Sequence, residues 1–198
     1  MNAEMRGIFA SSRQRKSKDP LAGRSVHHRL AMVNELITDA QQFGEERLVT
    51  AEEEGRAGIH ILTDNVDTIP FDRETIERLQ QATRTSAVQL LIVGADDPQG
   101  PWHQAAGAIP GIEVEQFVPE NIDLKIGSFI VATPRSYMNT EAVPLVQRKR
   151  VDYERDVASR LEFNSSNGVD SLMRYFSSVW SAAKEQRMRR EGKQISQE

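Results

Sequence analysis

Between Gly58 and Asp97 the spacing of apolar and polar positions changes period twice. Ile59-His60-Ile61-Leu62 sets β-branched residues at alternate positions and stops at Thr63-Asp64-Asn65, a turn-forming cluster, so the pattern predicts a strand. Asp72 has the chemistry of a helix cap, Phe71 before it is placed to pack on Ile76, and Glu74 lies in the first turn, where the helix dipole favours a carboxylate. Ile76, Leu79 and Ala82 then face one way while Arg73, Glu77, Arg78 and Gln81 face water. After Thr85-Ser86 the run from Ala87 to Gly94 is apolar without clean alternation, the mark of a strand buried on both faces. Strand, helix and buried strand joined by short loops predict a right-handed crossover with parallel strands, and so an α/β fold.

On either side of this unit the periods are equally readable. Ser25 can cap a helix in which Val26, Leu30, Val33, Ile37 and Ala40 recur at helical spacing, with Leu36 and Phe43 beside them and Gly44 as the C-terminal stop. Glu45 to Glu54 predicts a second, more exposed helix or an extension of the first, ended by Gly55. The stretch from Ala95 to Pro101 is a loop, with Pro101 opening a short helix through Ala106. Ile112-Glu113-Val114-Glu115-Gln116-Phe117 alternates, which predicts a strand near a sheet edge. Gly127 to Thr133 and Tyr137 to Thr140, flanking Thr133-Pro134-Arg135-Ser136, predict an antiparallel hairpin. A last short strand is expected around Ala158 to Phe163. Asn164 to Gly168 then turns into a helix carrying Val169, Leu172, Met173, Phe176, Val179, Trp180 and Ala183 on one stripe. The stripe ends there, and Lys184 to Arg190 are expected to fray into a polar tail.

Composition narrows the setting. A chain of 198 residues holds one substantial core, and a hydrophobic content of 38% is low enough to indicate polar ends diluting it. The expected organisation is a basic arm over 1–24, a single α/β domain over 25–183 built on a mixed β-sheet flanked by helices, and a polar tail over 184–198. The absence of cysteine removes disulfides, thiolate zinc sites and cysteine nucleophiles, and fits a reducing cytosol. No apolar run approaches the roughly 20 residues that span a bilayer, and the N-terminus lacks a secretory h-region, so a cytoplasmic protein is expected. A net charge of -4 argues against global attraction to nucleic acid, yet charge is local at the N-terminus, where Arg6, Arg13, Arg15, Lys16, Lys18 and Arg24 face only Glu4 and Asp19. Such an arm could meet phosphates or an acidic partner; a solvated tail is the simpler account, and Glu4 weakens a third, a transit peptide. Gln147-Arg148-Lys149-Arg150 forms a second basic cluster.

Chemistry-bearing motifs are sparse. Asp64, Asn65 and Asp67 follow one predicted parallel strand and Asp96 and Asp97 the next, where α/β folds place ligands, and clustered carboxylates there could hold Mg²⁺. Asp and Asn also end strands simply by making turns, which explains them with less. The chain has no Gly-x-Gly-x-x-Gly, Walker loop, Gly-x-Ser-x-Gly elbow or His-Glu-x-x-His. His27 and His28 diverge on a helix, and His60 and His103 have no ligand or nucleophile at motif spacing.

The order of elements resembles one repeat of the phospholipase D superfamily over roughly Ser25 to Ala183. The resemblance is carried by the end of the chain, where Leu161-Glu162-Phe163-Asn164, a turn and Leu172 to Trp180 look like the closing strand and Phe-x-x-x-Trp helix of that group. Asp64-Asn65-Val66-Asp67 before Pro70-Phe71-Asp72 is similar to small bacterial members that have lost activity. Active members of the family need His-x-Lys and, after four intervening residues, Asp on the hairpin strand. Here the nearest frame gives Asp123-Leu124-Lys125 and Ile130, alignment by the hairpin turn puts Thr133 at the aspartate, and no histidine follows His103. The resemblance therefore implies a pseudoenzyme without a phospho-histidine intermediate.

The first functional reading is thus a non-catalytic binding or assembly module that needs no cofactor, a homodimer or a subunit of a larger complex. The second is a small Mg²⁺-dependent phosphoryl-transfer or nucleotide-binding enzyme. The third is a nucleic-acid-associated factor. Candidate ligand contacts are Asp64, Asn65, Asp67, Asp96, Asp97, Lys125 and Arg135; candidate basic contacts are Arg13, Arg15, Lys16, Lys18, Arg148, Lys149 and Arg150.

Overall fold

A computed structural model describes residues 21–23, 25–50, 58–64, 68–94, 100–120, 125–141, 143–144 and 158–195. In chain order the elements are β1 (Leu21–Gly23), α1 (Val26–Thr50), β2 (Gly58–Thr63), α2 (Arg73–Ala82), β3 (Ala87–Val93), α3 (Pro101–Gly107), β4 (Ile112–Phe117), β5 (Lys125–Ile126), β6 (Phe129–Thr133), β7 (Ser136–Thr140), β8 (Val143–Pro144), β9 (Ser159–Glu162) and α4 (Ser166–Ile195).

Apolar residues on two strand faces need two covering layers, and the chain supplies one helical layer for each. The sheet runs β1-β9-β7-β6-β2-β3-β4, with β2, β3 and β4 parallel and β6, β7, β9 and β1 antiparallel; β5 and β8 form a separate ribbon. This is the expected α/β fold on a mixed sheet. On one face Ile59, Ile61, Val88, Leu90, Ile130 and Met138 pack with Val33, Leu36 and Ile37 of α1, Leu79 of α2 and Trp102 of α3. On the other, Leu62, Leu91, Phe129 and Val131 pack under Val169, Phe176, Trp180 and Ala183 of α4.

Several local expectations hold atom by atom. Ser25 Oγ accepts from the His28 amide at 3.2 Å at the start of α1, and Asp72 Oδ1 accepts from the Thr75 amide at 2.8 Å at the start of α2. Phe71, expected to pack on Ile76, has its ring against Trp102 of α3, centroids 4.4 Å apart, a contact that the local pattern did not indicate. The hairpin forms at the expected place, and β4 is an edge strand.

Three expectations fail. Leu21–Gly23, read as part of the arm, is strand β1, paired antiparallel to β9, because the unpaired side of β9 offers backbone partners that composition cannot reveal. Gly44 does not end α1, which continues to Thr50, so of the two alternatives for the acidic stretch the extension of the first helix is the one that forms. A Cβ at Gly44 would lie 3.2 Å from Ser86 Oγ and 3.3 Å from Thr85 Oγ1, so this glycine serves close packing against the turn before β3 rather than termination. Residues 51–57 lie outside the described residues. Finally, α4 does not fray after Ala183 but runs to Ile195. Arg189 pairs with Glu185 and Arg187 with Glu191 one turn apart, and Arg187 also reaches Glu115 on β4 at 3.1 Å, so charge carries the helix on where the apolar stripe stops.

Candidate functional site

At the carboxyl end of β2 the chain must leave a strand buried on both sides, and the polar groups it exposes there are bonded within the protein. Asp64 Oδ1 lies 2.5 Å from Ser128 Oγ and 2.6 Å from Thr68 Oγ1, and the two hydroxyls are 2.9 Å apart. Ser128 Oγ also accepts from the Asp64 amide at 3.2 Å. One residue before β6, Ser128 is next to Thr140 at the end of β7 because Phe129 pairs with Asn139, and both the amide and hydroxyl of Thr140 donate to the Ser128 carbonyl, at 2.8 and 2.9 Å. Ser128, Thr68 and Thr140 are all buried. Asp64, Thr68 and Ser128 bring together one carboxylate and two hydroxyls, which hold charge in place without offering a nucleophile matched to a base.

The same sheet end opens beyond Thr140 into a cavity of about 460 Å³ lined by Ala22, Asn139, Thr140, Glu141, Ala158, Ser159 and Arg160. Asn139 Oδ1 and Ser159 Oγ are buried beside it without a hydrogen-bond partner. The Arg160 guanidinium, more than half exposed, is paired with Glu162 at 2.8 Å. Cluster and cavity share Thr140 and lie along one end of the sheet across β2, β6, β7, β9 and β1.

The candidates from sequence distribute unevenly. Asp64 belongs to the cluster. Arg135 does not: it follows the far end of β6, 3.6 Å from Asp39 of α1 and over the Phe43 ring at 5.2 Å, while Asp39 accepts from Ser136 Oγ at 2.7 Å. That arrangement pins α1 to the hairpin. Lys125 begins β5, paired with Pro144 of β8. Asn65, Asp67, Asp96, Asp97, Arg13, Arg15, Lys16, Lys18, Arg148, Lys149 and Arg150 lie outside the described residues. Among the described residues no three His, Cys, Asp or Glu side chains converge as a metal site, and no helix is long and apolar enough to cross a membrane.

Sequence reasoning missed Thr68, Ser128, Thr140, Asn139 and Ser159. Counting back from the hairpin turn would have set Ser128 beside Thr140; Ser159 becomes adjacent only through the non-local pairing of β9 with β7. It also missed a ladder on the α4 face, where His60 Nδ1 lies 2.9 Å from Gln89 Oε1 and Gln89 Nε2 donates to Glu113 at 2.7 Å across three adjacent strands. Because Gln89 offers its oxygen, Nδ1 carries the proton. Burial holds the His60 pKa below its ordinary value, against the opposing Gln89 bond and Glu113 charge, and the ring stands edge-on to Phe176 at 5.3 Å.

This architecture is a phospholipase D-like α/β fold. No family model and no curated protein matches the chain. Among solved structures it is similar to TrmBL2, an archaeal chromatin protein whose structure shows a novel mode of DNA binding (TM-score 0.53, 11% identity, 91% of this chain and 59% of that one). It is also similar to NucT from Helicobacter pylori (TM-score 0.51, 10% identity, 82% and 96%) and to Nuc from Salmonella typhimurium, a phospholipase D family member (TM-score 0.50, 10% identity, 82% and 94%). The chain thus spans 59% of the length of TrmBL2 and matches nearly all of the other two.

Proposed function

We propose that this chain is a non-catalytic, phospholipase D-like binding domain. The observation that carries the reading is the Asp64-Thr68-Ser128 cluster: the carboxylate at the end of β2 is held by hydroxyls, and the hairpin strand beside it presents Ser128 and Thr133, with no histidine anywhere after His103. Covalent phosphoryl transfer of the family type needs an imidazole at that strand, and the hydroxyls supply neither the nucleophilicity nor the second ionisable group. What remains is a sheet end with a cavity and two unsatisfied polar atoms, Asn139 Oδ1 and Ser159 Oγ, a surface for holding a ligand.

Nucleic acid is the ligand class best supported. TrmBL2, similar in fold, is a DNA-binding chromatin protein, and this chain carries basic side chains at Arg13, Arg15, Lys16 and Lys18 and at Arg148, Lys149 and Arg150. The test is a pair of assays on the full chain. Fluorescent duplex DNA should bind with an affinity that falls linearly in log salt, and a bis-p-nitrophenyl phosphodiester should show no turnover above buffer. Turnover that co-purifies with the chain through repeated chromatography and is lost in Asp64→Ala would overturn the non-catalytic reading; salt-independent or absent DNA binding would overturn the ligand class.

A further inference from the structure

α4 covers only part of its face of the sheet. It begins against Tyr137 at Gly168 and crosses toward β4, which it reaches through Gln186 and Arg187, so it runs away from β9 and β1. Side chains alternate between faces along a strand, and Tyr137 marks the α4 face of β7. Asn139 is therefore on that face too, and the register places Arg160 of β9 beside it and Ala22 of β1 beside Arg160. Further along the same face Glu141 and Ala158 meet, the Glu141 amide donating to the Ala158 carbonyl at 3.0 Å. Longer side chains at Asn139, Glu141 and Arg160 around short ones at Ala22 and Ala158 leave a hollow, and this is the cavity of about 460 Å³, to which α4 contributes no lining residue.

The chemistry of the hollow narrows what it can hold. Its wall is mainly carbon, which suits the faces of a small, flat molecule. Asn139 Oδ1 is buried in that wall without a hydrogen-bond partner, so the acceptor needs a donor. The two charged lining residues are both engaged: the Arg160 guanidinium pairs with Glu162 at 2.8 Å, and Glu141 Oε2 accepts from the Ala158 amide at 3.3 Å. With its cation spent on Glu162 and a carboxylate at the rim, the hollow repels a phosphate and accepts a neutral donor.

We infer that this hollow takes an unpaired nucleobase, whose exocyclic amino group donates to Asn139 Oδ1. The inference rests on the reading of the chain as a nucleic-acid-binding domain and sends two parts of the ligand to different places: phosphates to the basic clusters, a base to the α4 face of β7, β9 and β1. An Asn side chain is suited to the adenine amino group and a carboxylate to that of cytosine, so Glu141 at the rim favours the same kind of edge. In a duplex the base is stacked and that edge is paired. A hollow walled by three strands admits one base and not a pair, so the strand is single or the base extruded.

The experiment is titration calorimetry on the full chain. Adenosine, an uncharged probe, should bind with an affinity that does not change with salt, unlike duplex DNA. Adenosine dimethylated at its amino nitrogen keeps the ring but lacks the donor hydrogens, and should bind at least about tenfold more weakly. Asn139→Leu should remove that difference. Ala22→Phe, at an exposed position on the floor of the hollow, should weaken adenosine by about the same factor with an unchanged circular dichroism spectrum. A short single strand should bind at least about fivefold tighter than the same strand in a duplex at equal salt. Salt-dependent duplex binding with no adenosine binding, or equal binding of adenosine and its dimethyl analogue, overturns the base site and leaves the nucleic-acid reading standing. Adenosine binding with a single strand no tighter than its duplex overturns a strand as the source of the base and assigns the hollow to free nucleosides. If Asn139→Leu fails to fold, Ala22→Phe and the pair of nucleosides decide alone.

Discussion

Replacing Trp180 with Ala removes the largest side chain of the α4 layer, and its cost can be worked from its surroundings. Trp180 is 8% exposed, stacks on Phe176 at 5.3 Å with the rings 23° apart, and carries Lys184 Nζ over its face at 5.5 Å. Truncating a buried Trp costs about 3–5 kcal/mol through lost transfer energy and the cavity left behind. The stacked pair accounts for about 0.5–1.5 kcal/mol beyond burial and the exposed ammonium contact for about 0.5–1 kcal/mol. Most of the loss is therefore burial, and Lys184→Gln alone should cost under about 1 kcal/mol. With a urea dependence of about 2 kcal/mol per molar, Trp180→Ala should lower the midpoint by about 1.5–2.5 M, followed by far-ultraviolet circular dichroism because the substitution removes a fluorophore. Coincident midpoints, or a shift no larger than that of Lys184→Gln, would refute the docking of α4 as the source of this stability.

Further expectations follow from the packing of the two sheet faces. Ser128→Ala leaves Asp64 and Thr68 with one partner fewer in a buried site and should cost about 1–3 kcal/mol by urea titration, more than Thr133→Ala at the half-buried other end of the strand, where the hydroxyl makes one 3.3 Å bond to the Gly58 carbonyl. Gly168→Ala would drive a Cβ into the Tyr137 ring, so it should destabilise by about 1–3 kcal/mol and shift the near-ultraviolet tyrosine signal. His60 titrates below its ordinary value when folded, so the unfolded chain binds the proton more readily; its contribution is whole above pH 6.5 and is lost as pH falls toward the folded pKa. Urea midpoints should accordingly drop between neutral and mildly acidic pH, and His60→Gln should flatten that slope; a parallel slope in the variant would remove His60 as its cause.

The middle of the chain was legible because its signals are local. The Asp72 cap, the apolar run of β3, the hairpin around Pro134 and the alternation of β4 all lie within a few residues of the contacts they specify. What sequence could not supply were groups meaningful only after distant strands meet. Ser128 and Thr140 look like ordinary strand-end hydroxyls until Asp64 arrives from sixty-four positions earlier. Gly44 reads as a stop unless the turn at Ser86 is known to press on it. The polar extension of α4 looks solvated until Glu115 is found beneath Arg187. Arg135 and Asp64 are both plausible ligand contacts by residue type, yet β6 runs between them and sets them at opposite ends.

The diagonal path of α4 has a mechanical consequence. A parallel edge strand ordinarily peels away first, since it is held along one side only. Here one rigid rod touches the hairpin at Tyr137 and the edge at Glu115 and Val118, so β4 cannot lift without either tearing the Gln186 and Arg187 contacts or levering Phe176 of the rod away from Phe129. The sheet margin thereby inherits the strength of its centre, and amides of β4 should open to solvent together with those of β2 and β6 rather than ahead of them.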